Sequence, residues 1–280
     1  MIASGASPEV VEQLSTTARQ IRQDIIRMTY HAGSGHPGGS LSVTDLVTAL
    51  VFHELRIDPE RPDWPERDRL VLSKGHAAPA LYSALAHRGF FDPKILPTLR
   101  ELGSPLQGHV DRRKLPAVEA STGCLGQGIG VAVGMALDAR LAARPSRVFA
   151  VIGDGECQAG LTWEALMAGG HYALDNLVVI LDRNGLETDG KTEDLMGIEP
   201  IVDKFRAFRY DTLDIDGHNF TAILDGLAHA RATKGHPTAI VARTVKGKGV
   251  SFMENTHVWH GKAPNREEAE RALAELGGSL

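Results

Sequence analysis

From Arg147 to Arg243 the chain repeats one rhythm: an apolar run, a turn, then a helical stretch. This alternation constrains the fold more than any other feature. The runs RVFAVI, LVVILD, YDTLDI and TAIVAR read as strands, and their near-continuous apolar character points to burial on both faces. Strands joined through helices pair in parallel, because each crossover carries the chain back to the starting end of the sheet. The expected class is α/β, a parallel sheet flanked by helices on both faces. With 280 residues, 42% of them hydrophobic, the chain can fill such a core, and it reads as a single domain over 1–280.

The N-terminal half fits around that sheet. Ser7 and Pro8 read as N-cap and first helical residue, and Val11, Leu14, Ala18, Ile21, Ile25 and Met28 follow at helical spacing until Gly33. After the break GSGHPGGS, Ser42 and Asp45 resemble a capping box opening a second helix that runs to about Leu55. RLVLS is a short strand candidate, followed by KGH and a helix from about Pro79 to His87. The small residues of STGCLGQGIGVAVGMALDARLAAR suggest a tightly packed helix, with Gly126, Gly128, Gly130 and Gly134 permitting close approach. Residues 244–263 read as an extended segment and 265–276 as a closing surface helix.

Several function classes are disfavoured. A net charge of −5 with scattered Lys and Arg gives no electrostatic footprint for nucleic acid. No apolar stretch approaches a membrane span, and the start MIASGASPEVVEQL has neither the basic region nor the apolar core of a signal peptide, so a cytoplasmic location is expected. Cys124 and Cys157 form no disulfide framework or thiolate zinc site, and both read as small buried apolar residues, with redox-sensitive thiols as the alternative.

In open parallel sheets ligands bind beyond the carboxyl ends of the strands. RVFAVI ends there in Gly153-Asp154-Gly155, two glycines that let the backbone approach a ligand around one carboxylate. A bare carboxylate repels phosphate, so its presence at a phosphate-type turn calls for a hard cation between them. Asn184, 30 residues further on, ends the next strand and supplies a second oxygen donor at the same edge. Taken alone, Asp154 could equally be a helix N-cap and Asn184 a turn residue.

Gly-Asp-Gly followed after about thirty residues by Asn resembles the thiamine diphosphate motif of thiamine-dependent enzymes. GSGHPGGS, SKGHA, GHVD, STGCLGQGIG, GDGE, DRNGLETDG, KGKGVSF and WHG stand in the order found in the N-terminal portion of transketolases, over almost the whole chain. The resemblance implies the thiamin diphosphate-binding fold, with thiamine diphosphate and magnesium, or calcium or manganese in its place, as cofactors. Asp154, the Asn184 side chain and the Leu186 carbonyl would hold the metal. His76, Gly155 and Lys246 would stand at the diphosphate and Gly123 and Leu125 along the aminopyrimidine, and Cys124, Gly153, Glu156, Asn184 and His260 would also be cofactor-binding. His36, His109 and His260 would face the substrate, a sugar phosphate, and Glu164 matches a relay carboxylate linking paired active sites.

The same resemblance implies transfer of a two-carbon ketol unit from a ketose to an aldose. It also places the glutamate that activates the cofactor in a second domain, here expected on a separate C-terminal transketolase subunit, the two assembling as α2β2. Glu156, Glu164 and Glu187 match no motif for that role. Two other thiamine enzymes stay open, a deoxyxylulose-phosphate synthase type and the α chain of an oxo-acid dehydrogenase, as does a non-catalytic thiamine diphosphate-binding module. The chain departs from the family pattern at Ala159, where a second relay glutamate is usual, and at Gly39 and Cys124. His218 and Asp189 read as turn residues, and Lys246 by type alone as solvated.

Overall fold

A computed structural model of the chain describes residues 7–280; the first six residues, which form part of the stretch read for a leader, lie outside the described residues. Parallel strands form a five-stranded sheet: β1 Arg69–Leu72, β2 Val148–Gly153, β3 Leu177–Arg183, β4 Asp211–Asp216 and β5 Thr238–Arg243, in spatial order β1-β2-β3-β5-β4. The helices are α1 Pro8–Ala32, α2 Pro37–Ala49, α3 Ala78–Arg88, α4 Gln127–Leu141, α5 Gly160–His171, α6 Thr192–Leu195, α7 Ile201–Ala207, α8 Phe220–Ala232 and α9 Arg266–Glu275.

Strand alternation divides the apolar residues between two cores. In β2, Phe149 and Val151 join the core built with α1, α2, α3, α8 and α9, while Val148, Ala150 and Ile152 join the one built with α4, α5 and α7. Both faces of β2 and β3 are therefore buried, which is why their sequences read as continuous apolar runs. β4 differs. It pairs only with β5, so YDTLDI forms a half-exposed edge strand in which Leu213 and Ile215 are partly covered.

Local chemistry sets the helix ends. Ser7 Oγ accepts from the Val10 N–H, Pro8 occupies the first turn, and Gly33 closes α1 at φ 56°. Asn265 and Glu268 form a reciprocal capping box on α9, whose Ala269, Ala272 and Leu273 are buried. The expected capping box at Ser42 and Asp45 is not formed. α2 starts earlier, at Pro37 with His36 as N-cap, because a proline in the first turn loses no hydrogen bond. Ser42 lies inside α2 and donates to Asp182 Oδ2 at 2.6 Å, and Asp45 pairs with Arg22. A π-helical turn, Leu50–Glu54, carries the chain to Leu55.

Two further expectations are corrected. Residues 244–263 are not extended: Gly247 and Gly249 adopt φ of 80° and 93°, and turns lead into a 3-10 turn at His257–Trp259. These bends fold the KGKG stretch back, so that the Gly247 N–H donates to Gly38 O at 3.0 Å. In α4, Gly128 does permit close packing, since a Cβ there would lie 2.5 Å from Ser73 Oγ. Gly130 and Gly134 instead face open space.

Candidate active site

The register of the central strands builds the site. β2 and β3 pair so that Gly153 lies opposite Asp182, and the chain beyond them runs into Asp154 and Asn184. One cavity at these strand ends is lined by His36, His76, His109, Gly123, Leu125, Gly153, Asp154, Gly155, Glu156, Asn184, Leu186, Lys246 and His260. Loops remote in sequence thus bring together nearly every residue singled out from the sequence. Glu164 is exposed on α5, and Cys124, expected to be buried, is instead exposed in the loop between the cavity residues Gly123 and Leu125; neither is among the residues lining the cavity. Cys157 is buried and its thiol is pushed well up, first by burial and then by Glu156, which makes it inert.

Four imidazoles form the heart of the cavity. The His36 ring centroid lies 5.3 Å from that of His76, 5.7 Å from His109 and 5.6 Å from His260, and the His76 and His260 rings stack at 5.1 Å. Burial is the main reason each is hard to protonate, with Arg100 adding to the effect at His36 and His109, Lys74 at His76 and Lys246 at His260. His36 is lowered to about 4 and His260 to about 3. All four are neutral near pH 7, so each offers one donor and one acceptor. His36 Nδ1 is buried with no hydrogen-bond partner among the described residues. An unpaired buried nitrogen costs stability unless a ligand meets it.

Lys246 is buried, contrary to its residue type. Its Nζ donates to the Leu186 and Glu187 carbonyls at 3.2 and 3.1 Å and to His260 Nδ1 at 2.8 Å. As an ammonium it can only donate, which leaves the His260 ring proton on Nε2. Burial lowers Lys246 to about 8, with Lys74 adding repulsion.

The anionic side of the site is equally constrained. Asp154 Oδ2 accepts from the Gly185 N–H at 2.6 Å and from Arg183 at 3.2 Å, and Oδ1 accepts from the Gly155 N–H at 2.9 Å. Its carboxyl is nonetheless raised, by burial first and by Asp182 second, so a cation at this point would relieve it. Asn184 Oδ1 accepts from the Leu186 N–H at 3.1 Å. One carboxylate, one amide oxygen and one carbonyl make a hard-oxygen donor set suited to magnesium. Lys246 already uses one lone pair of the Leu186 carbonyl, and a second remains. Among the described residues no group of three or more His, Cys, Asp or Glu is arranged to hold a metal.

Glu156 braces the turn. Its Oε1 accepts from Ser73 Oγ and from the Gly126 N–H, and Oε2 accepts from the Gly153 N–H. It therefore ties β1, β2 and the start of α4 together beneath the ligand space. Sequence reasoning missed Lys74 and Asp182, a buried ion pair at 2.5 Å, and the Ser42 and Thr244 hydroxyls that donate to the same carboxylate. One signal was available: an aspartate in the buried run LVVILD needs a partner.

Similarity to known proteins identifies the family. Residues 11–279 match the family model described as "Transketolase, thiamine diphosphate binding domain". The chain belongs to the transketolase family. It is 43% identical over 263 residues to a 6-deoxy-6-sulfo-D-fructose transketolase subunit of Clostridium sp. (strain MSTE9), covering 94% of this chain and 96% of that one. It is 40% identical to an apulose-4-phosphate transketolase subunit of Phocaeicola vulgatus, covering 95% and 94%. Among solved structures, the transketolase from Leishmania mexicana superposes with a TM-score of 0.89 at 32% identity, over 98% of this chain and 42% of that one. The chain thus spans less than half of the solved transketolases it matches and nearly all of the subunits. It is a thiamine diphosphate-dependent transketolase subunit.

Proposed function

We propose that this transketolase-family chain binds the diphosphate and a magnesium ion, and that with a separate C-terminal subunit it moves a two-carbon ketol unit from a ketose to an aldose. The observation that carries this is the convergence of four neutral histidines and buried Lys246 on the cavity that holds Asp154, Asn184 and Leu186. Thiamine diphosphate, when bound, supplies the carbon nucleophile that accepts and passes on the two-carbon unit. Lys246, whose three N–H are taken by Leu186 O, Glu187 O and His260 Nδ1, would act on the diphosphate through its positive charge, His76 would stand beside it, and Asp154, Asn184 Oδ1 and Leu186 O would hold the metal. The Gly155 N–H, which donates to Asp154 Oδ1 at 2.9 Å, would be shared with the diphosphate, and Gly123 and Leu125 would flank the aminopyrimidine.

His36, His109 and His260 move protons at the substrate's hydroxyl and carbonyl oxygens. Their neutrality suits this task at His36 and His109, where one nitrogen can take a proton while the other donates; His260, whose Nδ1 accepts from Lys246, offers the substrate its Nε2–H as a donor. The donor is a ketose with an anionic end, as the names of the sulfofructose and apulose-phosphate relatives suggest.

The partner supplies the glutamate that pairs with the aminopyrimidine. Exposed Leu125 at the cavity, with exposed Val131 on α4 and Leu161 and Met167 on α5, offers apolar surface for that contact, and the assembly is two copies of each chain, working in the cytoplasm. Exposed Glu164 serves there as the remaining relay carboxylate, without a glutamate at Ala159. Cys124, between Gly123 and Leu125, is the further cofactor-binding candidate of this loop. The test is co-purification with a candidate C-terminal subunit, thiamine diphosphate and magnesium, assayed with ketose phosphates and ketose sulfonates. Two-carbon transfer by the pair and none by either chain alone is the expected result. Decarboxylation of pyruvate without transfer overturns the reading.

A further inference from the structure

By its sequence context His218 is a turn residue, and its backbone N–H does close a turn on Asp216 Oδ1 at 2.9 Å. Its ring makes two longer-range contacts. Nδ1 lies 2.7 Å from Asp45 Oδ2 on α2, and Nε2 lies 2.8 Å from the backbone nitrogen of Val245. A backbone N–H can only donate, so Nε2 carries the lone pair and the ring proton sits on Nδ1, donated to Asp45. One neutral tautomer satisfies both contacts. Asp45 is fixed in turn by a bidentate Arg22, at 2.9 and 2.7 Å. Burial pushes the Asp45 carboxyl up, and the Arg22 charge with the His218 and Arg22 hydrogen bonds more than offsets it, so the carboxylate stays ionised. The three side chains are only 10%, 6% and 12% exposed for Arg22, Asp45 and His218, which holds the array still.

Val245 is the residue immediately before Lys246. On one side of it Thr244 Oγ1 donates to Asp182, and on the other the Gly247 N–H donates to Gly38 O. The Val245 N–H has His218 Nε2 as its acceptor. Lys246 Nζ meets three acceptors at 2.8 to 3.2 Å, and hydrogen bonds tolerate only a few tenths of an ångström before weakening, so the backbone that carries it must be fixed. We propose that His218 is a positioning residue for the active site: the relay Arg22–Asp45–His218 clamps the Val245 peptide and thereby sets Lys246. The consequence for cofactor affinity rests on the placement of Lys246 at the diphosphate.

Two substitutions separate the ring's two contacts. In His218→Gln, the amide oxygen can reach the place of Nε2 and still accept from Val245. In His218→Asn, the shorter amide can keep the donor to Asp45 but leaves the Val245 N–H without an acceptor. Hydrogen exchange on the unliganded full chain is expected to quicken about tenfold at Val245–Gly247 in His218→Asn, and to stay within about threefold of wild type in His218→Gln. In the reconstituted pair, His218→Asn weakens thiamine diphosphate about tenfold with the ketose KM unchanged, and Gln restores the affinity. Equal exchange at Val245–Gly247 in wild type and His218→Asn overturns the proposal, as does equal damage from both substitutions. Quickened exchange in His218→Asn with unchanged cofactor affinity keeps His218 as the support of Val245 and overturns the placement of Lys246 at the diphosphate.

Discussion

Replacing Asp182 by asparagine tests the buried ion pair beneath the site. Asp182 is fully buried and accepts from Lys74 Nζ at 2.5 Å, from Ser42 Oγ at 2.6 Å and from Thr244 Oγ1. Burial alone would raise its carboxyl, but the Lys74 charge and these hydrogen bonds more than offset that and hold it below the usual range. Asparagine preserves the shape and removes the charge. It leaves the Lys74 ammonium, itself 2% exposed, without its counter-charge, and whichever way the amide is turned its NH2 replaces an oxygen that accepts here, from Lys74 and Ser42 on one side or from Thr244 on the other. Breaking one partner of a buried pair costs about 3–5 kcal/mol. For a chain of this length that corresponds to a fall in melting temperature of roughly 10 °C. Urea unfolding followed by circular dichroism measures the loss directly. The double substitution Lys74→Met with Asp182→Asn removes the stranded charge, so a coupling of about 2 kcal/mol back toward wild type is expected. A single substitution within about 1 kcal/mol of wild type, or strictly additive effects in the double, would refute the reasoning.

Other expectations follow from the same geometry. Lys246 stands at about 8 in the free site, and an anionic diphosphate raises it, so binding takes up a proton. Affinity is then greatest below pH 8 and falls by up to about tenfold per pH unit as pH rises above it; calorimetry on Lys246→Met should show weaker, flatter binding, and an unchanged pH slope counts against the assignment. Asp154→Ala in the pair should abolish the magnesium dependence of cofactor affinity, and retained dependence in the same titration would remove Asp154 from the metal. Gly128→Ala should cost about 1–3 kcal/mol in a melt of the isolated chain, because its Cβ would meet Ser73 at 2.5 Å. Gly134→Ala, facing open space within a helix, should instead stabilise by up to about 1 kcal/mol.

Much of the fold was legible because it follows from local periodicity. The α1 caps, the central strands and the closing helix α9 depend on neighbours within a few residues. Asp154 and Asn184 were legible for a related reason, since each ends a recognisable strand. The second helix was misplaced because two signals competed, and Pro37 outweighed the Ser42 pattern. The reason for Ser42 lay 140 residues away, at Asp182. Lys74 and Asp182 are 108 residues apart and meet only when the β1-β2-β3 register is fixed.

The sequence by itself determined the alternation of strand and helix, the parallel class and the oxygen donors at the strand ends, because periodicity and turn chemistry are carried by adjacent residues. Tertiary structure alone decided the ionisation of the site. Lys246 is an ordinary solvated lysine by type, and the fold buries it against two carbonyls and His260 and lowers it to about 8. Four histidines spread from residue 36 to residue 260 become one neutral cluster for the same reason. Desolvation and the proximity of like charges depend on what surrounds a group in space, and no stretch of sequence records that.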